Sequence, residues 1–214
     1  IPVGFKFYEP QPNMSQWRKE NKKLKQQGIP LAQRPKKPEV DVNYPNKQQL
    51  ALDLLLEFTT HFPQIKIQCV LADALYGTKE FVKQASTLLK TQVISQIKCN
   101  QKIQDKGKYI SVSEYFKRNP GVPRQLTIRG GNQKLVIMHG ARLFIKAHGC
   151  KRFIVALKYE GEEEYRYLVA SELTWRLTDI ATAYTMRWLV EVFIQDWKSS
   201  EGWCQLAKQQ GTDG

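Results

Sequence analysis

Four residues in the last quarter of the sequence combine charge and hydrogen-bonding capacity at regular spacing. They are separated by three, four and seven residues and are Tyr184, Arg187, Glu191 and Lys198. At 3.6 residues per turn, this spacing places them in one stripe of a helix, about 21 Å long. Because the neighbouring residues are apolar, a carboxylate and a guanidinium there are costly unless they pair with each other or serve a ligand.

The simplest interpretation of this stripe is an intrahelical salt bridge between Arg187 and Glu191. Such i,i+4 pairs are common and contribute only a few tenths of a kcal/mol when exposed. A salt bridge does not account for Tyr184 and Lys198, which extend the stripe over a length that passes several DNA phosphates. The sequence leaves both interpretations open.

A second carboxylate closes a predicted strand. The segment IKIQCVLAD alternates apolar residues as a strand does and ends on Asp73. Oxygen ligands from separate elements, here Asp73 and Glu191, suit hard divalent cations. Two such ions can activate an attacking oxygen and stabilise the leaving oxygen during displacement at phosphorus. The alternative is that Asp73 caps the helix that follows.

Hydrophobic patterning predicts the elements that position these residues. Lys47 to His61 has the apolar spacing of a core-facing helix. Thr78 is a candidate N-cap for a helix after Asp73, and the strand QVISQI follows that helix. Residues 178–198 have apolar side chains around most of a helix, which predicts one long, largely buried helix bearing the four-residue stripe.

The pattern divides the chain into three parts. Residues 1–97 form an α/β part that opens with a strand at Val3 to Tyr8 and includes a Pro- and Lys-rich arm over residues 11–48, predicted as a loop. Residues 98–171 are a β-rich segment of short runs separated by Gly or charged turns. Residues 172–214 return to the α/β part and carry the long helix.

Charge is the unusual bulk property. The chain has 33 Lys and Arg against 20 Asp and Glu, a formal net charge of +13, which attracts polyanions and makes nucleic acid the first candidate partner. Eight of the basic residues, against one acid, lie between positions 11 and 38, where a solvated surface and direct phosphate contact are both open interpretations. No apolar run approaches the roughly 18 residues of a membrane span, and no CxxC pair indicates zinc.

Two segments resemble one known family. The run Tyr184, two residues, Arg187, three residues, Glu191, six residues, Lys198 is similar to the signature of the insertion-sequence-four family of DDE transposases. VLADALYG, with Tyr76 three residues after Asp73, resembles the family's second catalytic aspartate segment. The resemblance implies a ribonuclease H-like mixed sheet with helices, interrupted by a β-rich insertion domain.

The resemblance also implies roles for individual residues. Asp73 and Glu191 would be two members of a carboxylate triad that binds Mg²⁺, or Mn²⁺ in its place. The implied DNA contacts are Tyr184, Arg187, Lys198, Tyr76 and Lys98. The implied base-stacking residues of the β-rich insertion are Trp175, Tyr165 and Phe153. The partners would be transposon ends and target DNA, with a homodimer in the DNA-bound complex, no membrane partner, and a bacterial cytoplasmic location at the nucleoid.

One departure from the family pattern concerns its first aspartate, which no residue here matches. Asp41 and Asp53 precede Asp73 but lie in the arm and on a predicted helix. We therefore expect the sequence to begin at the family's third strand, and the isolated chain to have little or no strand-transfer activity. Two alternatives remain open: a DNA-binding remnant without catalysis, and a nuclease of the same fold that does not join strands.

Overall fold

The computed structural model describes residues 4–128 and 131–200, with the backbone alone at Ser200. Val3 of the predicted first strand and residues 201–214 of the predicted third part lie outside the described residues. The chain divides into two compact units, residues 1–65 and 66–214. No helix in the described ranges is long and apolar enough to cross a membrane.

The described residues of the first unit form two α-helices. They are α1 (Pro12–Gln26) and α2 (Lys47–His61), with a short 3₁₀ helix at Leu31–Gln33 between them. Helix α2 has the predicted bounds, which confirms the helix expected there. The Asn46 side chain caps its first turn by accepting hydrogen bonds from the backbone N–H groups of Gln48 and Gln49.

Two predictions for the first unit are wrong. Residues 4–10 form neither helix nor strand, and the described part of the unit holds no strand that could pair with them. The arm predicted as a loop contains α1. Its Pro and Lys content suggested a loop, but Pro suits the first helical turn, and Met14, Trp17 and Leu24 recur at helical spacing to give it an inner side.

The second unit is built on an eight-stranded mixed sheet in the order β1-β2-β8-β7-β6-β3-β4, with β5 also paired to β6. The strands are β1 (Cys69–Ala72), β2 (Gln92–Ile97), β3 (Lys102–Asp105), β4 (Lys108–Ser111), β5 (Val122–Thr127), β6 (Gln133–Ile145), β7 (Cys150–Tyr159) and β8 (Arg166–Ala170). The helices are α3 (Lys79–Leu89), α4 (Val112–Arg118), α5 (Leu177–Thr185) and α6 (Trp188–Ser200), with a 3₁₀ helix at Ala74–Tyr76. The predicted fold class, a mixed α/β sheet of ribonuclease H-like type with helices, is confirmed.

The β-rich segment shares its sheet with the strands that precede it. β1 and β2 are parallel, and β8, the last strand of the β-rich segment, pairs antiparallel with β2 in the same sheet. Helix α4 was not predicted. β6 continues without a break through Gly140, although the short runs of this segment were predicted to be separated by Gly or charged turns. A Cβ there would lie 2.7 Å from the Phe153 ring, so this glycine permits close packing rather than a turn.

The predicted long C-terminal helix is two helices. Backbone N–H groups of Met186 and Arg187 donate to residues three positions earlier, and this tighter turn separates α5 from α6. Helix α5 is buried over the sheet, with Ile180 fully inaccessible. The expectation of burial is wrong for α6, whose Trp188 and Val190 are each 57% exposed. Apolar composition predicted a covered helix, but the described residues do not cover it.

Candidate functional site

Asp73 lies directly after β1, at its carboxyl end, as predicted. Cys69 and Leu71 pack against the core cluster that includes α5, and side chains alternate along a strand. Asp73 has an extended backbone, so alternation predicts that its side chain faces α5, and its carboxylate contributes to the raised pKa of Tyr184 on that helix. Its exposed carboxylate accepts a hydrogen bond from the Leu75 backbone at 2.8 Å and caps the 3₁₀ helix, so the alternative capping role is also present.

Strand β2 holds the turn that follows Asp73. The Ser95 hydroxyl donates to the Asp73 carbonyl oxygen at 2.6 Å. Gly77 lies so close to β2 that a Cβ would be 2.4 Å from the Gln96 carbonyl oxygen. Ser95 is fully inaccessible to solvent, so the turn from Asp73 to Gly77 is pressed against an interior strand. Only glycine permits this approach without moving the backbone.

A buried histidine contacts the same turn. His148, in the β6–β7 connection, is 1% exposed, and its Nε2 lies 3.2 Å from the Gly77 carbonyl oxygen. Burial lowers the pKa of the imidazole, because water is withdrawn from the charged form; the Gly77 carbonyl and Glu80 oppose this, while Arg152 and Lys79 add to it. A neutral ring that donates from Nε2 to the carbonyl therefore fits this position.

Tyr184 connects α5 to the same stretch of β2. It is 7% exposed, and its hydroxyl donates to the Gln96 side-chain oxygen at 3.3 Å. Burial raises the pKa of the phenol; the Arg187 guanidinium opposes this shift, and the Asp73 carboxylate adds to it. Thus Tyr184 and the Asp73 turn are both anchored on neighbouring residues of β2.

Arg187 continues the chain of contacts to Glu191. Its guanidinium lies 5.6 Å from the centre of the Tyr184 ring, and its Nη2 lies 2.5 Å from the Glu191 carboxylate. The predicted i,i+4 salt bridge is confirmed. The Arg187 Nε is buried and has no hydrogen-bond partner among the described residues.

The other residues predicted to contact DNA do not take part in this series of contacts. Lys198 lies on α6 and is exposed, and the turn between α5 and α6 interrupts the predicted continuous stripe. Lys98 is exposed just after β2. Tyr76 is half-buried, with its ring centre 4.9 Å from that of Phe81. Phe153 is 5% exposed and belongs to the core, so the idea that it stacks on a base is wrong.

The sequence did not point to Ser95, Gln96, Gly77 or His148. A signal was available for the first two, because QVISQI places polar residues inside an apolar strand. Nothing local marked His148, whose contact with Gly77 joins residues 71 positions apart.

The carboxylates of Asp73 and Glu191 meet some of the requirements of a site for Mg²⁺ or Mn²⁺. Carboxylate oxygens are the ligands that Mg²⁺ and Mn²⁺ prefer. Across residues 4–128 and 131–199, however, no three His, Cys, Asp or Glu side chains lie close enough to hold a metal ion. Asp73 and Glu191 therefore offer suitable oxygens but not a complete ligand set.

Comparison with known proteins identifies the family of the chain. No curated protein matches the chain. A family described as DDE superfamily endonuclease matches residues 8–136, more than half of the chain, and the matched range includes Asp73. Endonucleases of this superfamily act on DNA and generally use divalent metal ions. By this match, the chain belongs to the DDE superfamily endonuclease family.

Proposed function

We propose that the chain carries part of the catalytic core of a DNA transposase similar to the insertion-sequence-four family. In this proposal it cuts DNA at insertion-sequence ends and transfers the freed strand to target DNA. Two copies would pair the two ends, and in the bacterial cytoplasm the protein would associate with the nucleoid.

One observation carries the proposal: a continuous series of contacts links the acid after β1 to the acid of α6. Ser95 and Gln96 are adjacent on β2, so their side chains lie on opposite faces of the sheet. Ser95 holds the Asp73 backbone, and Gln96, on the face of α5, binds Tyr184. Tyr184 lies under the Arg187 guanidinium, which pairs with Glu191. The Asp73 carboxylate also contributes to the raised pKa of Tyr184, and together these interactions support a shared site for the two carboxylates.

The residues have separable roles in this site. Asp73 and Glu191 would supply oxygens to Mg²⁺ or Mn²⁺, and the bound ions would activate the attacking oxygen and stabilise the leaving one. Arg187, when it leaves Glu191, has a planar fork of donors that suits a phosphate. Its neighbours Tyr184 and Lys198 would add phosphate contacts, as would Tyr76 and Lys98 nearer β2.

Weak metal binding tests the proposal without requiring activity. Mn²⁺ titrated into the ¹⁵N-labelled chain broadens the amide signals of residues close to the ion. We expect selective broadening around Asp73 and Glu191, and its loss in D73N and in E191Q. Matched controls are D105N, at the end of β3, and E114Q, in the i,i+4 pair of α4. Broadening that survives both D73N and E191Q would contradict a metal role.

Activity assays separate the alternatives. A DNA duplex with a free 3′ hydroxyl, incubated with target DNA and Mg²⁺, should yield no joined product with this chain, because no residue here matches the first aspartate of the transposase family. Cleavage or joining by the chain alone would contradict that expectation. In any longer protein that includes this chain, cleavage without joining would favour a nuclease, and DNA binding without Mn²⁺ binding would favour a non-catalytic remnant.

A further inference from the structure

Helix α1 of the first unit is held by its inner side. Met14 is 6% exposed, and the Trp17 indole donates to the Pro35 carbonyl oxygen at 2.8 Å. The chain turns back after the helix, where the Ile29 backbone donates to Leu24 at 3.1 Å. The helix is therefore anchored along one side, which leaves a defined outer side.

The outer side is strongly basic. Its five cations are all exposed and are Arg18, Lys19, Lys22, Lys23 and Lys25. At 100° per residue they occupy an arc of about 160° and a length of about 10 Å. Glu20 lies outside this arc. We call these five residues the α1 basic face.

The α1 basic face has no acidic partner in the described part of its unit. The ion pairs found there join Lys6 to Asp53 and Glu57, and none involves α1. Four pairs within the basic face are like-charged neighbours at i,i+3 or i,i+4, and each such pair weakens a helix by about 0.2 to 0.5 kcal/mol. The helix C-terminus attracts Lys23 and Lys25, and Glu20 lies three residues before Lys23. Neither effect offsets the repulsion among Arg18, Lys19 and Lys22.

We propose that the α1 basic face is a DNA-binding surface that contacts the phosphates of duplex DNA without reading bases. The inference rests on the proposed function for DNA as ligand, but not on the metal site. An anionic polymer offsets the repulsion among the five cations, and about 10 Å of helix matches roughly three phosphates along one strand. A membrane fits less well, because the apolar Met14 and Trp17 are on the inner side and the basic face offers no apolar side chain to insert.

A charge-removal series tests the surface. Arg18, Lys22 and Lys25 lie along one line of the helix, and R18Q/K22Q/K25Q keeps good helix formers at all three positions. The control K66Q/K83Q/K117Q removes the same charge from exposed positions of the second unit. Binding to a fluorescent duplex of arbitrary sequence is measured by anisotropy in EDTA over a range of salt concentrations.

We expect the α1 triple variant to bind roughly tenfold or more weakly at low salt, and its slope of log affinity against log salt to fall by up to about 2.7, from about 0.9 per lost contact. In the control variant, the slope should change by less than about 0.9, the value for one phosphate contact. The charge-conserving R18K/K22R/K25R should bind like the wild type. Because like-charge repulsion is relieved, the triple variant's thermal midpoint should not fall.

Three results would overturn the inference. They are unchanged DNA binding in R18Q/K22Q/K25Q, an equal loss in the control, and loss of binding to anionic phospholipid vesicles with DNA binding retained. Since the measurement is made in EDTA, a failed metal test at Asp73 and Glu191 leaves these outcomes readable.

Discussion

The strength of the Arg187–Glu191 salt bridge can be used to test whether Glu191 also binds a metal ion. The two side chains are 26% and 40% exposed, so solvent screens their attraction. An i,i+4 pair of this kind is worth about 0.3 to 0.5 kcal/mol, and Arg before Glu is the weaker order on a helix. A double-mutant cycle with R187Q and E191Q should give a coupling of that size in metal-free buffer.

Mg²⁺ should change this coupling if Glu191 is a metal ligand. The cation competes with the guanidinium for the same carboxylate, so the coupling should fall toward zero at saturating Mg²⁺ and constant ionic strength. The Glu114–Arg118 pair of α4 is the matched control, since it has the same spacing in the opposite order. Its coupling, measured with E114Q and R118Q, should not depend on Mg²⁺. Urea unfolding followed by far-ultraviolet circular dichroism measures both cycles.

Two outcomes would refute this reasoning. A coupling at Arg187–Glu191 that stays constant in Mg²⁺ would leave Glu191 as a salt-bridge partner only. An equal fall in both pairs would indicate general screening. If Asp73 shares the ion, D73N should also remove the Mg²⁺ effect on the Arg187–Glu191 coupling.

Three further predictions concern stability, measured as urea midpoints. G77A should lose about 1 to 3 kcal/mol, because its Cβ would meet the Gln96 carbonyl oxygen at 2.4 Å; an unchanged midpoint would show that the turn yields freely. His148 has a lowered pKa when folded, so the unfolded chain protonates first as pH falls below its ordinary value of about 6.5. Stability should therefore be full above that pH and decline below it, and H148Q, which keeps a donor without titrating, should flatten the decline; equal slopes would contradict the assignment. I180A should lose about 2 to 5 kcal/mol, against roughly 0.5 kcal/mol or less for the exposed V190A; similar losses would contradict the burial of α5 relative to α6.

Local signals predicted the elements that depend on local interactions. Helix α2 followed from apolar spacing, and Thr78 caps α3 by accepting from the Phe81 backbone N–H, as predicted. The turn between α5 and α6 carries neither Gly nor Pro, so no breaker marked it. At Gly140 the opposite occurred: a possible turn residue was present, but the strand continues. Glycine indicates a turn as readily as it indicates close packing.

The candidate site was predictable as separate residues but not as an arrangement. Spacing identified Asp73, Arg187 and Glu191, and the salt bridge between the last two needed only helical geometry. The contacts that relate Asp73 to Tyr184 pass through β2, more than 80 residues from Tyr184 along the chain. Such a contact depends on which strands pair, and hydrophobic alternation does not specify strand order.

The polar residues of β2 show which signal was overlooked. Every residue of β2 except Gln96 is buried, and a buried polar group left without a partner costs about 1 to 3 kcal/mol. Gln92, 1% exposed, accepts from the Ser171 hydroxyl and the Glu172 backbone, while Ser95 and Gln96 bind the Asp73 turn and Tyr184. Each polar side chain of an interior strand is thus committed to holding a specific neighbour. Polar residues inside QVISQI therefore indicated that this strand positions other elements, before any partner could be named.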